Sequence, residues 1–460
     1  IDAGSASITG SSEVTVETIA VDNTLTVADG TLTADNATAG AATFDGATVS
    51  IGTGNLTEVA VSGDTTLTVD SGRTDDLTMT GGNVTVGSAE GGFTLGSVNQ
   101  SAGSITGKGQ TVLNGKLTMT GSATGSYDKL TGSIETGSGT RLEIGSGFEL
   151  AGSNGGSLVA DNASGNLGIF TNTGNASFGN VAMEGTVSNT GSMTAKDTTV
   201  KGDFSSSGTF TSDKTHVANG GSMSLGGIAD LGNTTVDGSI TVTDGITNAS
   251  GTTVNGSLTA NGGTANLGNT TVNGGKVSAE GGSIVAGDYT QAGGSLTVDN
   301  GGSLTSGNMQ VSDADVTLGN GNLNASGSID GSTITITGGT WGDNLTDMTG
   351  TTDDALGGND LTIADGTLNL GDKTLTDNGN VAVNGGTLIT DKIDLSGPAN
   401  GTITVGDGGT LQTGMDQIFE DFLVEGIKIT AEDWQDAWGA VKGDVIDAAT
   451  NVGDVKDDIA

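Results

Sequence analysis

The only histidine of the sequence, His216, is the first candidate for catalysis. A Ser–His–Asp triad would have to use this residue, and a zinc site built on several histidines is excluded. His216 directly precedes Val217, and threonine stands before the equivalent valine in the neighbouring repeats. We therefore expect its side chain to point outward and to take no part in chemistry. The absence of cysteine also excludes a thiol nucleophile, disulfides and a cysteine-based metal site.

Paired carboxylates are the other residues whose spacing suggests chemistry. They occur at Asp75–Asp76, Asp313/Asp315 and Asp353–Asp354. Two neighbouring carboxylates can act as acid and base or bind Ca²⁺. The sequence has no Asp-x-Asp-x-Asp-Gly loop with a distal Glu, and no run of the Gly-Gly-x-Gly-x-Asp calcium repeat. We expect most of these acids to be solvated and no cofactor to be bound, with Ca²⁺ as an open alternative.

The charge balance narrows the classes of partner. The chain carries 54 acidic and 14 basic residues, for a formal net charge of -40. Nucleic-acid binding needs clustered Lys and Arg, so it is not expected. A polysaccharide-degrading enzyme needs aromatic platforms and basic residues, but aromatic residues make up 3 % of the chain and Trp341 is the one tryptophan of the repeats. No run of about 18 apolar residues predicts a transmembrane helix.

An internal repeat carries most of the structural information. Valines recur at spacings of 17 to 19 residues: Val181, Val200, Val217, Val236, Val254 and Val272. Around the last three, Thr-Thr-Val is followed each time by Asp-Gly or Asn-Gly. A fixed period of this size is typical of a solenoid, in which each repeat is one turn. We expect these six valines to point inward and to stack on one another.

The repeat unit predicts strands. Apolar residues alternate with Thr and Ser, as in Leu77-Thr78-Met79-Thr80, and Asn-Gly, Asp-Gly and Gly-Gly pairs separate these runs. The sequence therefore predicts an all-β fold, a parallel β-solenoid of about 18–20 residues per turn over residues 1–411. About 411 residues at about 18 per turn give about 23 turns, which at about 4.8 Å per stacked strand form a rod roughly 110 Å long.

Residues 412–460 differ from the repeats and predict a short α-helical segment. Their apolar residues have helical spacing, and two of the three tryptophans of the chain lie among them. The apolar stripe comprises Phe419, Phe422, Trp434, Trp438, Val441 and Val445. Two interpretations stay open. The segment caps the open end of the solenoid, or its stripe docks into another subunit or a membrane-embedded partner.

The Gly/Asn/Thr/Val-rich, cysteine-free, imperfect repeats resemble the passenger regions of Gram-negative autotransporters (type V secretion), especially self-associating adhesins. Gly408-Gly409-Thr410-Leu411, leading into Met415, resembles the junction between a passenger and its helical linker. The resemblance implies a right-handed β-helix, export across the outer membrane, and a role in self-association, adhesion or biofilm formation. Passengers of this group are followed by an outer-membrane β-barrel, which these 460 residues do not include.

Taken together, the sequence predicts a non-enzymatic adhesive or structural protein of the cell surface or the extracellular space. The expected partners are copies of the same chain, or a glycan or protein on a host or neighbouring cell. The expected contacts run along ladders of Thr, Asn and Asp side chains. The first alternative is a homopolymeric filament or surface-layer subunit joined through residues 412–460. The second is a carbohydrate-active enzyme, which the composition disfavours.

Overall fold

The computed structural model describes residues 1–330, 333–341, 345–347, 360–369, 374–376, 380–394 and 402–413. It confirms the predicted all-β class and the solenoid. The chain forms a parallel β-solenoid of about 19 turns, and 76 % of the described residues lie in strands. It divides into two compact units, Ile1–Gly232 and Asn233–Ala460. The right-handed coil implied by the resemblance stays a prediction.

The first unit contains long strands that bend around the corners of the coil, followed by shorter ones. Their bounds are β1 Asp2–Thr9, β2 Glu13–Ala28, β3 Thr31–Asp45, β4 Thr48–Ser62, β5 Thr66–Met79, β6 Asn83–Val86, β7 Phe93–Gln100, β8 Ser104–Met119, β9 Thr124–Thr136, β10 Arg141–Asn154, β11 Ser157–Asn172, β12 Asn175–Met183, β13 Thr186–Asn189, β14 Ser192–Val200, β15 Asp203–Ser206, β16 Thr209–Val217 and β17 Ser222–Leu225. The next strand, β18 (Ile228–Val236), contains the boundary between the units.

The second unit consists mostly of strands of three to five residues. Their bounds are β19 Ser239–Val242, β20 Ile246–Val254, β21 Ser257–Ala260, β22 Thr264–Asn266, β23 Asn269–Asn273, β24 Lys276–Glu280, β25 Ser283–Ala286, β26 Tyr289–Ala292, β27 Ser295–Asp299, β28 Ser303–Ser312, β29 Asp315–Leu318, β30 Asn322–Asp330, β31 Thr333–Trp341, β32 Leu345–Asp347, β33 Asp360–Asn369, β34 Thr374–Thr376, β35 Val381–Val383, β36 Thr387–Ile389, β37 Lys392–Asp394, β38 Ile403–Val405 and β39 Thr410–Gln412.

Alternating side chains explain the thin core. In β4, Val49 and Ile51 are buried, whereas the alternating residues Thr48 and Ser50 are exposed. Period-two alternation places one set of side chains inside each turn and the other set outside. At the corners the backbone bends where a side chain would not fit. A Cβ on Gly72, whose φ is 118°, would lie 1.9 Å from the carbonyl oxygen of the preceding turn.

The turns vary in length more than the repeat predicts. In the first unit, stacked partners are as few as 16 residues apart, as for Arg141 and Ser157. They are as many as 21 apart, as for Asn83 and Ser104. Register shifts within the paired strands absorb these differences, as between Glu143 and Gly147 where β10 pairs with β11.

The predicted column of six valines differs from the observed stacking at Val181. Val200 pairs directly with Val217, but the residue paired with Val200 in the preceding turn is Met183. Val181 pairs with Thr198 in the neighbouring inward column. The predicted stacking of Val181 on Val200 is therefore wrong: the turn is 17 residues long here, and a fixed valine spacing overlooks a change of residue type. Val181 is nevertheless buried, with 3 % of its surface exposed.

The remaining valines lie inside the second unit. Val236, Val254 and Val272 have no exposed surface, and Val254 pairs directly with Val272. The Thr-Thr-Val repeat therefore marks equivalent positions of successive turns in this unit.

A ladder of polar side chains runs through the core of the first unit. Thr136, Asn154, Asn172, Asn189 and Ser206 are all buried and joined from turn to turn by hydrogen bonds of 2.6 to 2.9 Å. The amides also donate to backbone carbonyls, which satisfies groups that the core would otherwise leave unpaired. This buried ladder is a structural element that the sequence interpretation did not predict.

The C-terminal predictions fall beyond the described part of the chain. Residues 414–460 include the predicted helices with Phe419, Phe422, Trp434, Trp438, Val441 and Val445, and all lie outside the described residues. The paired carboxylates Asp353 and Asp354 do so as well. The last described strand, β39, ends at Gln412.

Candidate functional site

His216 lies on the outer surface. Its side chain is exposed on β16, where it pairs with Thr199 of the preceding turn and precedes the buried Val217. The structure therefore places this residue on the outward face, as the repeat register predicts.

The first acidic pair also lies on the surface. Asp75 forms an ion pair of 3.6 Å with Arg73. Asp76 is exposed and stacks on Glu58 of the preceding turn. Within the described ranges, no three His, Asp or Glu side chains come close enough together to hold a metal ion. Asp75 and Asp76 therefore do not belong to a cluster of three such side chains that could bind a metal ion.

An exposed ladder of amides lies on the second unit. Asn255 Nδ2 donates a hydrogen bond of 2.7 Å to Asp237 Oδ1, and Asn273 Nδ2 donates one of 3.1 Å to Asn255 Oδ1. We call these three residues the exposed amide ladder. Each one follows a Thr-Thr-Val strand and precedes a glycine, so the repeat itself positions them in one column. The Oδ1 atom of Asn273 accepts no hydrogen bond from any described residue, so it faces solvent as an open acceptor.

A shallow groove of about 540 Å³ adjoins this ladder. It is lined by Gly256, Gly274, Gly275, Lys276, Gly294, Ser295, Asp313 and Asp315. Gly256 and Gly274 directly follow the two ladder asparagines. Lys276, Ser295 and Asp315 occupy one column of successive turns. The groove thus offers an ammonium, a hydroxyl and carboxylates around a floor of glycines. The predicted acidic pair Asp313/Asp315 lies in this groove.

A second surface array lies on the first unit, where two outward positions of the same strand segment both carry small polar side chains over six successive turns. The first column consists of Thr31, Thr48, Thr66, Asn83, Ser104 and Thr124. The second column consists of Thr33, Ser50, Thr68, Thr85, Thr106 and Ser126. We call these twelve residues the paired hydroxyl face.

Two ion pairs join neighbouring turns at other positions of the outer surface. Lys116 contacts Glu135, and Lys201 contacts Glu184 at 2.8 Å. The side chains of all four residues are about half exposed. Because exposed ion pairs contribute only about 0–1 kcal/mol, they set local charge more than they stabilise the coil.

No family model, curated protein or solved structure matches the chain. Among the described residues, no helix has the length and apolarity needed to cross a membrane.

The sequence predicts contact ladders of Thr, Asn and Asp side chains, but it predicts only turns at the particular Asp-Gly and Asn-Gly pairs that form the exposed amide ladder. Asp237-Gly238, Asn255-Gly256 and Asn273-Gly274 recur 18 residues apart, which places their side chains over one another once the period is fixed. The structure adds the hydrogen bonds that join them, and these bonds turn three separate turn residues into one continuous surface.

Proposed function

We propose that this chain is an extracellular, non-enzymatic adhesive or structural protein that binds copies of itself through the stacked polar columns of its solenoid. The observation that carries the proposal is the exposed amide ladder, whose hydrogen bonds run from turn to turn and end in an open acceptor. Ladders of this kind zip with like ladders, because each amide both donates and accepts.

The groove beside the ladder supports a homotypic contact. It presents Lys276 and Asp315 two turns apart in one column, so it carries both signs of charge. A second copy laid in the opposite direction brings Lys276 of each copy against Asp315 of the other. Opposite charges in register favour this arrangement over a mismatched one.

The charge of the whole chain sets the conditions for contact. A net charge of -40 keeps copies apart at low ionic strength. At about 0.15 M salt the screening length is about 8 Å, so repulsion fades while contacts at hydrogen-bond distance persist. Self-association is therefore expected to strengthen as salt is raised, which is the opposite of binding driven by opposite net charges.

Many weak contacts along one surface sum to a strong one. Once one turn of the ladder is paired, the next binds at a high effective concentration. This multivalency allows polar ladders without a large apolar patch to hold two chains together. It is also how an adhesin of the autotransporter passenger type, which this chain resembles in its repeats, would act.

Sedimentation velocity of the purified chain across a salt series tests the proposal. The variant N255D/N273D places three carboxylates in one column and is expected to shift the chain towards the monomer. The control N55D/N162D adds the same charge at two exposed asparagines of the first unit that make no side-chain hydrogen bond to described residues, and it is expected to associate like the parent. A monomer at every salt concentration, or equal association of both variants, would contradict the proposal.

The location and the further partners belong to the same proposal. We assign the chain to the cell surface or the extracellular space of a Gram-negative bacterium, with glycans or proteins of other cells as further partners. Antibody labelling of intact cells that express the whole gene tests the location, and labelling that requires lysis speaks against it. Product analysis after incubation with neutral and acidic glycans tests the non-enzymatic part, and turnover would overturn it.

A further inference from the structure

We propose that the paired hydroxyl face of the first unit binds the surface of ice. The inference is independent of self-association, because it concerns a different unit of the chain and a different ligand. It rests on the spacing, rigidity, free hydroxyls and neutrality of this face.

The spacing of the face is two-dimensional. Residues of one column are stacked one per turn, at about 4.8 Å, while the two columns are separated by two residues along each strand, or about 6.6 Å. The pairing is one-to-one in both columns across all six turns, without a bulge inside the array. The face therefore presents polar groups on a regular two-dimensional lattice, as the surface of ice does.

The face is held rigid from behind. In five of the six turns the residue between the two columns is an apolar side chain that points inward and has at most 2 % of its surface exposed: Leu32, Val49, Leu67, Val84 and Ile105. In the sixth turn this residue is Gly125. The parallel ladder fixes the backbone of every strand to both neighbours. Hydroxyls on such a support lose little further freedom when they hold ordered water, and water-mediated hydrogen bonds are nearly as favourable as direct ones.

Most of the hydroxyls are free for water. Nine of the eleven make no hydrogen bond to any described residue. The two exceptions are Ser104, which donates to Asn83 Oδ1 at 2.6 Å, and Thr124, which donates weakly to a backbone carbonyl at 3.4 Å. The face is therefore a regular array of donors and acceptors whose partners must come from the solvent.

The composition of the face selects water over a charged macromolecule. None of its twelve residues is charged, in a chain with a net charge of -40. In the first column, Glu13 and Arg141 stand immediately beyond its two ends. Eight of the twelve residues are threonines, each of which adds a methyl group beside its hydroxyl. A neutral surface of alternating methyl and hydroxyl groups suits an ordered water lattice.

Ice growth in the presence of the full chain tests the inference. The parent is expected to shape growing ice crystals, suppress recrystallisation and partition into a slowly growing ice front. The variant T66Y/T85Y, in which two bulky side chains stand at the centre of the face, is expected to lose all three effects. The control T43Y/T78Y changes two exposed threonines of another column and is expected to keep them.

Two results would overturn the inference. The first is equal behaviour of the two variants, and the second is a parent chain without effect on ice. If the parent has no effect on ice and T66Y/T85Y changes the sedimentation in liquid solution, the face is a contact between copies. Circular dichroism of both variants confirms that the solenoid is intact, because tyrosine is a favourable strand residue. Failure here leaves untouched the expected salt-dependent self-association of the parent chain and its test with N255D/N273D.

Discussion

The side-chain amide of Asn172 donates a hydrogen bond of 2.7 Å to Oδ1 of Asn189, which lies 17 residues later in the chain and one turn further along the solenoid. Asn154 donates in the same way to Asn172, also at 2.7 Å. Every hydrogen bond between side chains of this buried ladder is donated towards the later turn, so the ladder is directional. It ties successive turns together inside the core, whereas the exposed amide ladder repeats the same chemistry in water.

Replacing the central residue of the buried ladder, as in Asn172→Ala, is expected to destabilise the first unit. The change leaves Oδ1 of Asn189 without its donor and removes the acceptor of Asn154 Nδ2. Each buried polar group left unpaired costs about 1–3 kcal/mol. The denaturation midpoint followed by circular dichroism should fall clearly, while Asn162→Ala at an exposed position should change stability by less than about 0.5 kcal/mol. Equal midpoints for the two variants would show that the ladder does not stabilise the core.

The two tyrosines of the chain offer a matched pair. Both are buried, but Tyr289 donates a hydrogen bond of 2.5 Å to Gln291 Oε1, while the hydroxyl of Tyr127 has no partner among the described residues. Removing an unpaired buried hydroxyl is favourable, and removing a paired one orphans the acceptor. Tyr127→Phe is therefore expected to raise the denaturation midpoint and Tyr289→Phe to lower it. Two shifts of the same sign would contradict this assignment.

Alkaline pH is expected to unfold the solenoid. Desolvation by burial raises the pKa of both Tyr127 and Tyr289 well above the usual value of 10.0. The folded state therefore keeps these protons when the unfolded state begins to lose them, and stability falls as pH rises above about 10. Below that pH the two tyrosines leave stability unchanged.

Tyrosinate absorbance recorded together with far-ultraviolet circular dichroism checks this coupling. The absorbance is expected to rise only as the β signal is lost. Tyrosinate that forms while the β signal is intact would show that the hydroxyls reach solvent in the folded state.

The sequence predicted the solenoid because both its exposed and its buried residues recur with the period of one turn. Thr-Thr-Val followed by a turn pair fixes the strand, the corner and the repeat length together, and Val254 stacks on Val272 as this pattern requires. It could not predict where the turn length changes. Val181 was placed in the wrong column because a 17-residue turn puts Met183 under Val200.

The sequence also could not show which polar residues point inward. Asn172 and Asn255 both precede a turn with glycine, yet one is buried in the core and the other is exposed. The difference depends on the side of the strand from which the chain enters the corner, and a shift of one residue reverses it. The sequence also does not show how large and small residues are matched between neighbouring turns. Gly107 lies directly under Tyr127, where an added Cβ would stand 2.3 Å from the ring.

The register of the outward columns is the claim on which both surface proposals depend. The chain has no cysteine, so pairs introduced by mutation can report on it without background. Thr33 pairs with Ser50, and Ser50 pairs with Thr68. Neighbouring strands lie about 4.8 Å apart, within the Cα separation of about 4.4–6.8 Å that a disulfide spans, whereas two turns are too far apart.

Mild oxidation of the folded variants T33C/S50C and T33C/T68C, followed by mass spectrometry of the thiols, is the most direct measurement of this register. Rapid intramolecular disulfide formation is expected in T33C/S50C, and persistent free thiols are expected in T33C/T68C. Free thiols in the first variant, or equally rapid oxidation of both, would contradict the stacked columns.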